Sequence, residues 1–172
     1  ISSRSGIINW RWRENKNSYY SRAVTDGINV YVASPDKYVS AIDLFLGTTV
    51  WHKKDFDSWE SIGISNNKRK LLIKGFKDKY FIAEAQNGKL IKAIDIGFGI
   101  NTMPTQPIEW KDNILFTSQN GKIYFIDKNY HWKPLFFLGN ARLLNIVHVS
   151  NNIFAVSNID GKIIVFELKK AN

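Results

Sequence analysis

Short runs of alternating hydrophobic and polar residues follow one another along the whole chain. The runs are rich in β-branched and aromatic side chains and are bounded by Gly, Asn, Asp or Pro, which is typical of strands joined by tight turns. Two-residue hairpin turns are predicted at Asn87–Gly88, Asn120–Gly121 and Asp160–Gly161, because a type I′ turn needs positive φ at both central residues. No stretch sustains a helical spacing of apolar residues, so the pattern predicts an all-β fold.

The strands recur in a unit of about 41 residues. A Gly-x-x-x-Trp motif stands at Gly6–Trp10 and again at Gly47–Trp51, and Gly88 begins the corresponding segment of the next unit, with Lys92 in the Trp position. Four-stranded units of this length are typical of propeller blades. The repeat therefore predicts an all-β fold of the β-propeller class, with about four four-stranded blades.

The repeat also predicts how one propeller domain or fragment over residues 1–172 is divided. The predicted blades lie near 18–57, 58–98, 102–139 and 142–169, and a separate N-terminal strand lies at 6–13. The fourth blade lacks its outer strand, whereas the segment 6–13 has the sequence of an outer strand without a blade. That strand could close a four-bladed ring, the chain could be half of a seven- or eight-bladed ring, or two copies could join head to tail. The first residue is Ile1 and not Met, which favours half of a larger ring.

The segment Ala41-x-Asp43-x-x-x-Gly47-x-x-x-Trp51 resembles the repeat of PQQ-like, quinoprotein-type β-propellers, whose Trp docks between neighbouring blades. The second unit departs from this repeat with Lys92 in the Trp position, and the third has His131 in place of the Gly. The resemblance implies structural roles in blade docking for Gly6, Trp10, Ala41, Asp43, Gly47, Trp51, Gly88 and Asp127.

Further segments are similar to the C-terminal propeller half of secreted bacterial proteins that carry a metallophosphoesterase domain. These segments are 10–12, 19–21, 94–99, 138–145 and 160–162. The likeness implies a location in the cell envelope or outside the cell. It also implies that the catalytic metal ligands of such a protein lie in a domain outside these 172 residues, so no residue of this chain is expected to be catalytic.

Composition excludes several classes of function. Apolar residues make up 44% and aromatic residues 14% of the chain, which excludes intrinsic disorder, and no apolar run is long enough for a membrane-spanning helix. The absence of cysteine excludes disulfides, thiolate metal sites and cysteine nucleophiles. It also excludes the vicinal disulfide that PQQ dehydrogenases similar to this fold hold over their cofactor, so no cofactor is expected.

The side chains that could carry metal or acid–base chemistry are scattered. His52 lies in a predicted outer strand, where we expect it to be exposed, and His131 lies in a turn. His148 lies in the first strand of the fourth unit, and first strands of blades line the central channel, so a channel-lining role is predicted for it. Asp55 and Asp57 form an Asp-x-Asp pair without the Gly and distal Glu of a calcium loop, which favours a surface loop. The sequence therefore predicts no metal site.

The chain is basic, with a net charge of +9. Its lysines are spread along the sequence, and only residues 68–70 form a compact basic run. Basic and aromatic residues alternate at 10–13 and mix at 74–81, as in some single-strand-binding proteins. Alternation within a strand nevertheless sends Trp10 and Trp12 to one face and the arginines to the other, which favours packing over binding of nucleic acid.

We therefore expect a non-catalytic scaffold or interaction module that presents blade loops to a protein, a glycan or an attached catalytic domain. An accessory propeller half of a secreted metal-dependent phosphoesterase is the alternative, and a basic nucleic-acid-binding propeller is less favoured. The expected partner is a protein or the rest of a larger propeller, a homodimer included. The positions expected to be buried are Trp10, Val30, Val32, Ala41, Trp51, Ile73, Ile114, Phe116, Phe125, Ile153, Ala155, Ile163 and Val165.

Overall fold

The fold was obtained as a computed structural model, which describes residues 6–14, 20–103 and 105–169 and only the backbone at Glu60. The predicted start of the first blade at residues 18–19 therefore lies outside the described residues. The described residues form strands and no helix, which confirms the all-β prediction. The strands are β1 (Val24–Thr25), β2 (Asn29–Ala33), β3 (Lys37–Asp43), β4 (Thr49–Ile64), β5 (Lys70–Gly75), β6 (Lys77–Glu84), β7 (Leu90–Ile100), β8 (Ile108–Trp110), β9 (Asn113–Thr117), β10 (Lys122–Ile126), β11 (Trp132–Phe137), β12 (Leu143–Ser150), β13 (Ile153–Asn158) and β14 (Ile163–Glu167).

Consecutive strands pair with each other in antiparallel ladders within three sheets. Strands β1 to β7 form one seven-stranded sheet, β8 to β11 form a four-stranded sheet, and β12 to β14 form a three-stranded sheet. Four repeating units are used below: the first (20–57), the second (58–100), the third (105–138) and the fourth (142–169). Because every connection joins adjacent strands, the units follow one another along the chain without crossovers.

The first two units share a sheet because one long strand belongs to both. The first part of β4 pairs with β3, where Trp51 lies opposite Ala41, and its second part pairs with β5, where Ile62 lies opposite Ile73. Asp57 lies between the two parts with a left-handed φ of 42°. The blade boundary that the sequence placed between residues 57 and 58 therefore falls inside a strand, and Asp55 and Asp57 lie in β4 and not in a loop.

Hydrophobic clusters lie between successive units. Alternate residues of one strand reach both faces of its sheet, as at β5, where Leu71 and Ile73 join the first cluster and Leu72 joins the second. In the same way Phe116 of β9 contributes to the cluster between the second and third units, and Leu115 contributes to the cluster between the third and fourth. Each unit is thus held to the next by apolar packing, the main stabilising contribution to such a fold.

Two positions that were expected to be buried are exposed. Ile163 and Val165 in β14 are 77% and 64% exposed, whereas their repeat equivalents Val39 and Ala41 in β3 are fully buried. The reason is that the second unit covers β3, while no described element packs on this face of β14. Five other positions of the expected core, Trp10, Val30, Phe125, Ile153 and Ala155, are only partly buried.

The predicted N-terminal strand at 6–13 has no strand partner within the described residues. The edge strand that it would join in a closed four-bladed ring, β14, pairs with β13 alone among those residues. The segment is nevertheless anchored to the first unit, because the indole Nε1 of Trp10 donates a hydrogen bond to the Leu44 carbonyl over 2.8 Å. It therefore lies where an outer strand would lie, without the ladder of one.

Candidate interaction surface

Two tryptophan side chains each pack on a turn of the unit that follows them in the chain. Trp51 in the outer strand of the first unit donates from Nε1 to the Ala85 carbonyl of the second unit over 3.1 Å. Its ring covers Gly88, which has a φ of 66° and where an added Cβ would lie 3.0 Å from the ring. Trp10 covers Gly47 in the same manner, with a φ of 68° at the glycine. Glycine is needed at these turns for both its backbone conformation and its lack of a side chain.

Aspartate side chains stabilise two of the turns on the same face, at Asp43 and at Asp127. Asp43 Oδ1 accepts hydrogen bonds from the backbone N–H of Phe45 and Leu46, at 2.8 and 2.7 Å. Asp127 accepts from the N–H of Asn129 and His131. Slight desolvation acts to raise the pKa of Asp127, but the hydrogen bonds from His131 and Asn129 outweigh it and hold the pKa below its usual value. These carboxylates therefore act as turn supports.

Two turn positions of the repeat differ in geometry from Gly47 and Gly88. The left-handed residue of the third unit's turn is Tyr130, with a φ of 69°, and not His131, because this turn is one residue shorter than that at Asp43. Gly6 is exposed, and nothing lies within 4 Å of a Cβ built on it. Ala41 is fully buried opposite Trp51 in the β3–β4 ladder.

A third docking tryptophan was not found from the sequence. Trp110 in β8 donates from Nε1 to the Asn151 carbonyl of the fourth unit over 2.9 Å, and its ring meets Phe154 edge-on with 5.4 Å between centroids. Trp110 lies in the first strand of its unit, whereas the Trp of the Gly-x-x-x-Trp motif lies in an outer strand, so the motif does not include Trp110. Its position next to the turn-forming pair Lys111–Asp112, both with positive φ, was the available signal.

Three clefts open between successive units at one end of the sheets, which we call the turn face. The turn face carries the turns at 26–28, 43–48, 65–69, 84–88, 111–112 and 127–131. The cleft between the first and second units has a volume of about 770 Å³. The clefts between the second and third units and between the third and fourth have volumes of about 230 and 410 Å³. Concave sites at the junctions of packed elements are common ligand sites.

The acidic side chains that line the largest cleft, Asp26, Asp43 and Glu84, all accept hydrogen bonds from neighbouring groups. Asp26 Oδ1 accepts from the N–H of Ile28 and Asn29, at 2.8 and 2.6 Å, and its Oδ2 accepts from the Tyr31 hydroxyl over 2.7 Å. Burial acts to raise the pKa of Asp26, but these hydrogen bonds outweigh it and lower the pKa overall. Burial, together with the hydrogen bond to Asp26, raises the pKa of Tyr31. Both carboxylate oxygens of Asp26 are therefore already engaged in hydrogen bonds.

The basic groups of the same cleft are without such partners. Lys68 and Arg69 are exposed in the β4–β5 turn, and neither forms an ion pair within the part of the chain that the structure describes. Lysines line the other two clefts as well. Lys128 and Lys133 are exposed there, whereas Lys70 and Lys111 are engaged with aromatic side chains. Lys70 lies 3.5 Å from the Tyr130 hydroxyl, and Lys111 lies over the Trp110 ring, 4.6 Å from its centroid. The largest cleft thus presents two adjacent exposed cations, Lys68 and Arg69, to a ligand.

The three histidines lie apart from one another. The Nδ1 of His52 is 2.8 Å from the Ser40 hydroxyl, and its ring stacks on Tyr38, so His52 is partly buried and not an exposed edge residue. His131 lies 3.3 Å from Asp127. His148 is exposed on β12, lies 3.0 Å from the Asn151 carbonyl and lines none of the three clefts. Among the described residues no group of three His, Asp or Glu side chains is placed to bind a metal ion.

The basic and aromatic segment 74–81 is largely buried. Lys74 is fully buried between the second and third units, where its Nζ donates to the Asn101 side chain at 3.2 Å, to the Thr117 carbonyl at 3.1 Å and to the Thr105 hydroxyl. Burial lowers the pKa of Lys74 to about 7. Tyr80 is also fully buried, so this segment does not present a stacking platform to nucleic acid.

Comparison with family models and with curated proteins finds no match for this chain. Solved structures do match. The computationally designed Ika4 protein superposes with a TM-score of 0.73 at 11% identity, over 91% of this chain and 95% of that one. U3-55K superposes with a TM-score of 0.78 at 12% identity, over 91% of this chain and 50% of its own.

A further match is the β-propeller domain of Cps50 (Swd1) from Myceliophteria thermophila. Its TM-score is 0.70 at 10% identity, over 88% of this chain and 54% of that one. The fold is a β-propeller. The chain spans about half the length of U3-55K and of the Cps50 domain. No helix of the described residues is long and apolar enough to cross a membrane.

Proposed function

We propose that this chain is a non-catalytic interaction module that binds an acidic segment of a protein partner in the largest cleft of the turn face. The observation that carries the proposal is the pair Lys68 and Arg69 at the mouth of that cleft. Both are exposed and lack an ion pair within the described residues, whereas the nearby Asp26 and Asp43 are satisfied by turn hydrogen bonds. Propellers commonly bind where loops of adjacent blades converge, which supports this choice.

The chemistry of the cleft favours a carboxylate-bearing partner. Arg can hold a carboxylate through two parallel hydrogen bonds, and Lys adds a mobile point charge beside it. The apolar side chains of Ile28 and Val50 also line this cleft, so a ligand with an apolar residue next to its acidic ones would bury surface there. The other two clefts are smaller, and in them Lys70 and Lys111 already contact Tyr130 and Trp110.

The first test measures binding of a fluorescein-labelled peptide of alternating Glu and Leu by anisotropy. We expect Lys68→Ser/Arg69→Ser to weaken binding at least tenfold, about 1.4 kcal/mol or more, because it removes both available cations. The matched control is Lys77→Ser/Lys79→Ser, which removes the same charge from exposed positions at the opposite end of the sheets. Equal losses in both variants would mean diffuse attraction to a basic protein and would reject the site.

The Trp packing also supports a relationship to PQQ-like propellers. Trp10 and Trp51 each cover the glycine of the next unit's turn, as expected of a docking Trp in that repeat. We therefore propose that the Gly-x-x-x-Trp segments are docking elements of this type. The absence of a PQQ cofactor and a location in the cell envelope stay predictions.

Two other functions stay predictions. The accessory role beside a metal-dependent phosphoesterase domain rests on sequence resemblance, and it predicts phosphate-ester hydrolysis by a longer protein but not by these 172 residues. Nucleic-acid binding predicts affinity for a single-stranded oligonucleotide that falls steeply with salt. Nucleic-acid binding would be favoured if an oligonucleotide displaced the labelled peptide and bound more tightly than the peptide does.

A further inference from the structure

The fourth unit lacks an outer strand, and the segment 6–13 before the first unit has the sequence of one. The sheet of the fourth unit has three strands, β12 to β14, and within the described residues nothing pairs with the outer edge of β14. The segment 6–13 has the sequence of an outer strand and no strand partner among those residues. Trp10 already docks on the first unit as Trp51 docks on the second. The segment therefore occupies the place of the outer strand of a preceding unit.

The fourth unit also exposes the face that the other units bury. Besides Ile163 and Val165, the β12 residues Val147 and Val149 are more than half exposed on this unit. The repeat places Val165 where the first unit has Ala41, which is fully buried against the second unit. A run of exposed aliphatic side chains on a sheet face is typical of a surface that another element covers.

We propose that a second copy of this chain closes the propeller head to tail. Residues 6–13 of each copy would add to β14 of the other as its outer strand, and each fourth unit would pack against the first unit of the other copy. Strand addition of this kind satisfies the free backbone groups of an edge strand. The arrangement has a single two-fold axis and two identical junctions, so it is closed and leaves no free end.

The extent of one structural match supports closure by a second copy. Four units of this chain superpose on 54% of the Cps50 β-propeller domain with a TM-score of 0.70. Its units therefore follow the curvature of about half a ring, and two copies supply a full one. Closure within a single chain would instead need residues 6–13 to reach β14 of the same chain, and these do not pair in the structure.

The repeat fixes the register of the new ladder. In the first unit the N–H of Asp43 donates to the Thr48 carbonyl over 2.9 Å, across the β3–β4 turn. Glu167 occupies the Asp43 position of the fourth unit, and Ile7 occupies the Thr48 position of the outer-strand segment. The N–H of Glu167 should therefore donate to the Ile7 carbonyl of the other copy. Both side chains are exposed, so both can be replaced without opening a core.

The chain contains no cysteine, so engineered disulfides can be assigned without ambiguity. We expect native mass spectrometry to give twice the chain mass of 19.8 kDa. The oxidised double variant Ile7→Cys/Glu167→Cys should be a covalent dimer on a non-reducing gel. A monomeric native species would overturn the proposal. So would a bridge from residue 7 to residue 167 within one chain, which would indicate a self-closed ring of four units.

Mixing two single-cysteine variants tests the direction of the contact. Ile7→Cys mixed with Glu167→Cys should give a cross-linked dimer, whereas each variant alone should stay uncross-linked. Cross-linking of either variant with itself would indicate a face-to-face dimer and overturn the head-to-tail arrangement.

A surface variant tests the packing half of the proposal. Val165→Asp should weaken the dimer at least tenfold with an unchanged circular dichroism spectrum, because Val165 is exposed within each copy and buried only between copies. Ile100→Asp, at an exposed aliphatic position of the second unit, should leave the dimer intact. A dimer that Val165→Asp does not weaken would contradict the proposed interface.

Discussion

Replacing Trp51 with alanine should lower the free energy of unfolding by about 3 to 5 kcal/mol. The side chain is 9% exposed, lies between the first and second units and covers Gly88. Its loss would leave a cavity at the junction and the Ala85 carbonyl without its indole donor. Trp51→Phe keeps most of the apolar area and loses that hydrogen bond, so it should cost only about 1 kcal/mol. Urea unfolding followed by far-UV circular dichroism measures both values.

Trp132 provides the matched control for this prediction. It also lies in an outer strand, but it is 40% exposed, and its nearest aromatic neighbour, Tyr124, is 6.2 Å away between ring centroids. Trp132→Ala should therefore cost clearly less than Trp51→Ala. All variants must be compared at one protein concentration, because association of two copies would add to the apparent stability. Equal losses from Trp51→Ala and Trp132→Ala would reject the docking role.

The burial of Trp51 could be predicted from the sequence because it depends on the repeat. The spacing from Ala41 through Gly47 to Trp51 sets the turn between β3 and β4 and places the indole on one face of the sheet. The covering residue Gly88 occurs at the same place in the next unit. Where a unit follows the repeat and another unit packs against it, the sequence of the repeat thus predicts which side chains are buried between the two.

The repeat predicted that Val165 is buried, which is wrong because burial depends on whether another unit covers the strand as well as on the pattern of the strand itself. The alternation in β14 is that of a buried strand, but no described element covers this face. The shared strand β4 was missed for a different reason. The positive φ of Asp57 lets one strand pass from the first unit into the second, and Asp-x-Asp sequences are more common in loops.

The candidate site could be predicted only in outline. Residues 68–70 were recognised as a compact basic run in a turn, but its cleft depends on Asp26 and Gln86, which come from other turns. Only the folded structure shows that the carboxylate of Asp26 is already occupied by hydrogen bonds. The contrast between satisfied acids and free cations, which carries the proposed function, is therefore a property of the tertiary structure.

Lys74 is the residue whose environment differs most from what its sequence suggests. A lysine between apolar residues and a glycine is usually a surface residue, yet Lys74 is fully buried. Its three acceptors, on Asn101, Thr105 and Thr117, come from the segment after β7 and from the end of β9. Sequence distances of 27 to 43 residues separate them from Lys74, so no local pattern could reveal the site.

This burial makes the stability of the protein depend on pH. Burial lowers the pKa of Lys74 from 10.5 to about 7, so between these values the unfolded chain binds a proton that the native state lacks. The free energy of unfolding should therefore rise with pH in this interval, by about 2 kcal/mol from pH 7 to about pH 9. Well below pH 7 both states are protonated, so the contribution of Lys74 no longer changes with pH and the cost of burying its charge is fully present. Above about pH 10, tyrosines of the unfolded chain ionise while the raised pKa of Tyr80 keeps its hydroxyl neutral in the native state, which opposes the rise.

Lys74→Met tests this origin of the pH dependence, because methionine has a similar length and no ionisable group. The slope of the free energy of unfolding against pH between pH 7 and about pH 9 should disappear in Lys74→Met and persist in Lys79→Met, which removes an exposed lysine of the neighbouring strand. Urea titrations at fixed pH values measure the slope. A slope that is the same in wild type and in Lys74→Met would show that Lys74 is protonated in the native state and that its three acceptors, acting together, compensate the desolvation of a charged amine.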